Sequence, residues 1–170
     1  ANAGETRHMG IEIQQKSVLF NFQQFPGKLT SVLSGTFSRN RFINFTDDGN
    51  EYNGNDLPGI PEQNIQLQFT WNPLKVMEVF TNFQFFGDQY LNDANSLQYP
   101  GYFIADLKVS VILPIYKKGN LRFYAGVNNL GDTRYASMLV VNASAFGNNE
   151  PRYYYPGLPR NLYFGFQYKI

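Results

Sequence analysis

Apolar and polar residues alternate along most of the chain with a period of two. Seven long stretches carry the pattern, at about 5–22, 29–45, 62–72, 75–87, 102–113, 120–135 and 160–170. In the first, Met9, Ile11 and Ile13 share one face and His8, Gly10 and Glu12 the other. In the third, Ile65, Leu67, Phe69 and Trp71 interleave with Asn64, Gln66, Gln68 and Thr70. In the last, Leu162, Phe164, Phe166, Tyr168 and Ile170 oppose Asn161, Gly165, Gln167 and Lys169. Successive side chains of a strand point to opposite faces, so this period predicts long half-apolar β-strands. Helical periodicity is almost absent, and the expected class is all-β.

The connections alternate in length. Those at 24–28, 72–74 and 114–120 are short and hold Pro26, Gly27, Pro73 and Gly119. Those at about 46–61, 88–101 and 136–159 are long and rich in Asn, Asp, Gly, Pro and Tyr. Tight periplasmic turns and long extracellular loops are the rhythm of an antiparallel outer-membrane β-barrel. The strands are long enough for a tilted crossing, at about ten residues or more. The polar face is mostly Gln, Asn, Ser and Thr, which suits a wet lumen. Trp71, Tyr99, Tyr102, Phe103, Tyr116, Tyr135 and Tyr163 stand near segment ends, where interfacial aromatic girdles are expected. A soluble sandwich or lipocalin-like barrel would alternate as well, with its apolar face turned inward. An odd number of strands, followed back from the C-terminus, puts residue 1 on the extracellular side. That predicts a segment of a larger barrel, with its edges at 5–22 and 160–170.

Composition removes several chemistries. Net charge is +1, so no basic field for nucleic acid is evident. Without cysteine there is no disulfide scaffold, thiolate metal site or Cys nucleophile. No apolar run is long enough for a transmembrane helix, and no signal peptide opens the chain. His8 is the only histidine, which argues against a Ser–His or metal-based enzyme, and no cofactor is expected. "DDGNEYNGND" (47–56) has acidic residues without the ligand spacing of a calcium loop, and reads as a solvated outer loop.

Two stretches carry candidate roles. "NNEPRYYYPGLPR" (148–160) supplies Arg152, Tyr153, Tyr154, Tyr155 and Arg160. Arginine and tyrosine suit an anionic, aromatic ligand; the same tyrosines also suit an outer girdle against lipid headgroups. "AGVNNLGDTRYAS" (125–137) reads as a bulge or bend in a strand, with 133–135 continuing towards the outer rim. Asn128 and Asn129 accept left-handed backbone, and Gly131 tolerates positive φ.

Five stretches in order, "NAGETRHMGIEI" (2–13), "DLPGIPEQNIQLQFTW" (56–71), "YPGYFIADLKVSVILP" (99–114), "LRFYAGVNNLGDTRYAS" (121–137) and "YYPGLPRNLYFGFQYKI" (154–170), resemble the last part of TonB-dependent outer-membrane receptors. The resemblance implies a barrel of about 22 strands, of which these would be the final seven, filled by an N-terminal plug that is absent here. It implies a non-enzymatic role in TonB-energised import of a scarce ligand, a ferric siderophore first among the candidates. The implied partners are the remainder of the receptor (plug and earlier strands), the TonB complex through the missing N-terminal part, outer-membrane lipid and the barrel-assembly machinery. In "YFGFQYKI" (163–170), Gly165, Tyr168 and Ile170 resemble the terminal pattern that machinery reads by strand addition, although many relatives end in Phe or Trp. Gly10, Gly126 and Gly165 fall on the polar phase, where a missing side chain admits the plug or a neighbouring backbone, or relieves wall curvature. A self-contained small outer-membrane barrel acting as pore or adhesin is the second reading, and a soluble β-barrel binding module the third.

Overall fold

The computed structural model describes residues 4–21, 27–115, 119–145 and 151–169. In chain order, β1 (Glu5–Phe20) and β2 (Lys28–Asn44) form the first long hairpin, and β3 (Thr46–Asp47) and β4 (Asn50–Glu51) a small ribbon in the loop above it. Next come β5 (Gln63–Leu74) and β6 (Met77–Phe86), then the loop ribbon β7 (Gln89–Tyr90) and β8 (Gln98–Tyr99). β9 (Tyr102–Ile115) and β10 (Gly119–Asn128) follow, then β11 (Ala136–Leu139) with β12 (Tyr154–Pro156), and last β13 (Asn161–Lys169). The seven long strands make one antiparallel sheet in the order β1-β2-β5-β6-β9-β10-β13. It is open, with β1 and β13 as its edges. β1, β2 and β9 run 16, 17 and 14 residues, well beyond the five or so of an ordinary globular strand.

Register puts every apolar phase on one side. Cross-strand partners share a face, and one row reads Leu29, Trp71, Val79, Val109, Ala125, Phe164. Another reads Ile13, Gly35, Ile65, Phe85, Phe103. Val32, Gln68, Asn82 and Asp106 line up on the opposite face. There Gln66 donates to Asn82 Oδ1 at 2.8 Å, and Asn82 donates to Asp106 at 3.2 Å. The apolar face has no second layer: Leu162, Phe164 and Phe166 are 79%, 89% and 73% exposed. Among the described residues the buried hydrophobics are Phe42, Leu91, Ile104 and Ala136, at or near the loop end of the sheet. A sandwich would bury one face of this sheet against another sheet. A bare apolar face of this extent marks contact with lipid or protein.

The boundaries differ from expectation in places. The turn predicted at 72–74 lies at 75–76, closed by the Leu74–Met77 pair. Pro73 sits inside β5 at the register shift between Trp71 and Leu74, where no ladder N–H is needed. Pro114 likewise belongs to β9, opposite Asn120. The sixth strand stops at Asn128 instead of running to 135. Pro26, Tyr116 and Ile170 lie outside the described residues. Of the expected girdle aromatics, Trp71 and Phe103 fall on the apolar face, but Tyr102 pairs with Phe86 and Tyr163 with Gly126 on the polar face. Position along a strand sets depth in a membrane, whereas the parity of the position sets the side.

Candidate functional site

The long loops form one body, because asparagines lace them together. Asn95 accepts from the Asp56 N–H at 2.7 Å and donates to the Asp56 carbonyl at 2.8 Å. Asn142 accepts from the Asp93 N–H at 3.1 Å and donates to its carboxylate at 2.7 Å. Asn55 donates to the Asp93 carbonyl at 2.7 Å. Loop 45–62 is thereby tied to loop 87–101, and that loop to residues near 142. Asn95 and Asn142 have φ of 53° and 50°, the left-handed region that asparagine adopts more readily than most residues. Leu91 is buried beneath these ties.

The "NNLGD" turn organises the third loop. Asn129, only 2% exposed, has φ 52°, and its backbone N–H donates to Asp106 Oδ1 at 2.9 Å. Its amide accepts from the Thr133 N–H (2.9 Å) and donates to the carbonyls of Thr133 (2.9 Å) and Leu158 (3.1 Å). Leu130 N–H reaches the Ala105 carbonyl, one residue out of the register set by Val127 and Leu107. The irregularity predicted at 128–132 is therefore present, as a bulge followed by a turn. The positive φ angles fall at Asn129 and Asp132, whereas Gly131 is absent from the left-handed region. Residues 133–135 leave the wall and lead into β11.

A cleft of about 450 Å³ opens beside this turn, lined in part by Tyr99, Asp132, Arg134, Tyr135 and Tyr154. Its aromatic wall continues onto the polar face. Tyr99 and Tyr154 rings lie 5.6 Å apart, Tyr102 and Tyr135 5.3 Å, and Phe86 and Tyr102 4.9 Å. Burial pushes the Tyr99 phenol above its ordinary pKa; a backbone contact at Ala136 opposes the rise and the Tyr154 phenol adds to it. Asp132 is engaged by Arg160, through its N–H at 2.8 Å and its guanidinium at 3.8 Å. Arg134 has no carboxylate in ion-pair range among the described residues. The cleft thus has an arginine without an ion-pair partner and several phenol rings in one lining, a setting for an anionic, aromatic-bearing molecule.

Of the residues singled out in the sequence, Tyr154 lines the cleft and Arg160 braces its rim. Arg152, Tyr153 and Tyr155 are not among its lining residues. Tyr155 faces outward on the β11–β12 ribbon, 58% exposed, opposite Met138. Asp132 and Arg134 are site residues that the sequence reading does not single out; "GDTRY", which closes the turn and leads out of it, is the available signal. Of the terminal pattern, Gly165 and Tyr168 sit in β13 on opposite faces. Two of the polar-phase glycines serve neighbouring rings, since a Cβ on Gly126 would overlap the Tyr163 ring and one on Gly165 the Tyr124 ring, whereas a Cβ on Gly10 would crowd the Phe37 carbonyl of the next strand.

The family model described as "TonB dependent receptor-like, beta-barrel" matches residues 1–130. No curated protein matches the sequence. Several solved structures share the fold. The siderophore receptor PiuA from Acinetobacter baumannii is 20% identical with a TM-score of 0.73, over 96% of this chain and 22% of its own. The ferric citrate transporter FecA, unliganded, is 22% identical with a TM-score of 0.76, over 95% and 24%. The ferric yersiniabactin uptake receptor FyuA from Yersinia pestis is 20% identical with a TM-score of 0.66, over 97% and 23%. The chain therefore spans about a quarter of the length of the structures it resembles.

Proposed function

The chain belongs to the TonB-dependent receptor-like β-barrel family, and from that premise we propose that it is the closing wall and outer-loop segment of an outer-membrane importer. The proposed ligand is a ferric siderophore, the energy source the TonB complex, and the remainder of the receptor supplies the plug and earlier strands. The observation that carries this reading is the division of the sheet. One face is apolar and bare, the other is polar, and laced loops at one end hold an arginine–tyrosine cleft. An outward apolar face against lipid and an inward polar face around a lumen fit that division. The second reading, a self-contained pore or adhesin, needs closure that the open order β1 to β13 does not provide.

Uptake of iron-loaded chelates by cells carrying the full receptor tests it. Arg134→Ala and Tyr154→Ala should each weaken ligand binding about tenfold, the loss of one charge-assisted or stacking contact. Their surface level and barrel folding should be unchanged. Uptake by both variants that matches the parent would remove the cleft from the ligand site. Import that continues after collapse of the inner-membrane proton gradient would remove the energised mechanism.

A further inference from the structure

The apolar face is not uniform. Its rows on β1 and β2 can be followed upwards from the short-turn end. Leu29 comes first, then Ser17 with Ser31, Gln15 with Leu33, Ile13 with Gly35, and Ile11 with Phe37. Three polar side chains, Gln15, Ser17 and Ser31, thus sit together with apolar rows below and above them. From β5 to β13 the four rows from Leu29 to Ile13 carry Thr81 as their one polar side chain among the described residues. Trp71 shares the row of Leu29, where the girdle at the short-turn end of a barrel belongs. Ser31 lies one row and Gln15 two rows inside it, at about 7 Å per row along the strand. The polar seam therefore falls within the apolar band.

Gln15 Nε2 donates to Ser17 Oγ at 3.1 Å. Among the described residues the Gln15 carbonyl and the Ser31 hydroxyl have no hydrogen-bond partner. Hydrocarbon offers none, so polar groups at this depth are costly unless another protein supplies the partner. The seam itself describes that partner. It carries no charge, and its amide and hydroxyls both donate and accept, so it complements itself. All copies of a barrel enter the membrane in one orientation. A two-fold axis along the membrane normal then sets the seam of one copy against that of another at the same depth. Strand tilt of about 40° carries Arg39 and Arg7, three and four rows above Gln15, sideways out of the line of contact.

We infer that Gln15, Ser17 and Ser31 form a contact within the membrane between two copies of the receptor, paired about such an axis by hydrogen bonds from seam to seam. Two convex walls touch along a narrow strip, so these bonds, and not buried area, hold the pair. The contact rests on the lipid-facing reading of the apolar face. It is independent of the cleft, which lies at the loop end.

Photo-crosslinking in the outer membranes of cells carrying the full receptor tests it, with p-benzoylphenylalanine replacing either Ser31 or Leu107. The two positions share a row on different strands. The Ser31 probe should give an adduct of twice the receptor's mass, carrying both tags when two differently tagged copies are expressed together. The Leu107 probe should give none. The apolar variant Gln15→Leu/Ser17→Ala/Ser31→Ala should lower recovery of one tag with the other, from membranes dissolved in dodecyl maltoside, about tenfold. Heat-modifiable gel mobility identical to the parent certifies that the variant folds. Absence of the doubled adduct from Ser31, equal adducts from both probes, or equal tag recovery by parent and variant would each overturn the contact. A Ser31 adduct with a different protein would overturn the second copy as the partner. Labelling of Ser31→Cys by a membrane-impermeant maleimide would instead overturn the lipid-facing reading beneath it.

Discussion

Asn129 concentrates more structure than any other residue of its stretch. A left-handed backbone and three side-chain hydrogen bonds meet at one nearly buried amide. Replacing it with alanine should cost about 3–4 kcal/mol, from the lost hydrogen bonds and the strained φ. Asn129→Gly should recover about 1 kcal/mol of that by relieving the backbone alone. Hydrogen exchange at residues 157–160 is the sensitive readout, since the tie to Leu158 holds that segment; unchanged protection would contradict the assignment. The sequence showed that this stretch breaks a strand and that Asn tolerates the break. It did not show what the amide holds, because Leu158 lies 29 residues away. Tyr99 carries a pH expectation. Its phenol has a raised folded-state pKa, so the stability it contributes is complete below the ordinary phenol value near 10 and is lost as pH rises through the folded value. Alkaline titration of tyrosinate absorbance should lose a component that ionises above the ordinary phenol value in Tyr99→Phe.

At the scale of elements, alternation carried the fold. All seven long strands were legible, because a half-buried strand must repeat every second residue and these repeat over ten or more. The small ribbons β3/β4, β7/β8 and β11/β12 were not: two to four residues give no period to read, and asparagine ties across loops hold them. Proline misled at Pro73 and Pro114, where it sits inside a strand at or near its turn. The face assignment yields a prediction for β13. Phe164 lies in the row of Trp71, Val79 and Val109. Phe164→Arg should destabilise the lipid-embedded receptor by about 2–4 kcal/mol, and Gln167→Arg, on the polar face, by far less. Urea titration of the refolded receptor in lipid vesicles compares them; equal costs would reverse the assignment.

For the whole molecule, the missing core is the main fact. A single-layer sheet with a bare apolar face has too little to fold around in water, so the isolated segment should aggregate or pair through its edges β1 and β13 without detergent. Analytical ultracentrifugation of the segment in plain buffer checks this, and a monodisperse monomer would contradict it. The cleft was half legible at this scale. Tyr154 and Arg160 were visible as a cluster in one loop, whereas Tyr99 and Arg134 join them only through folding. The reciprocal seats of Tyr163 over Gly126 and Tyr124 over Gly165 bear on how such a sheet is put together. Alternation is a parity check: it rejects a strand added one residue out of step and is blind to an error of two. A two-residue error at β10–β13 would set Gly126 against Gly165, or Tyr124 against Tyr163, leaving an empty seat or a collision. The two glycine–tyrosine pairs thus proofread, at the seam between β10 and β13, the errors that hydrophobicity passes.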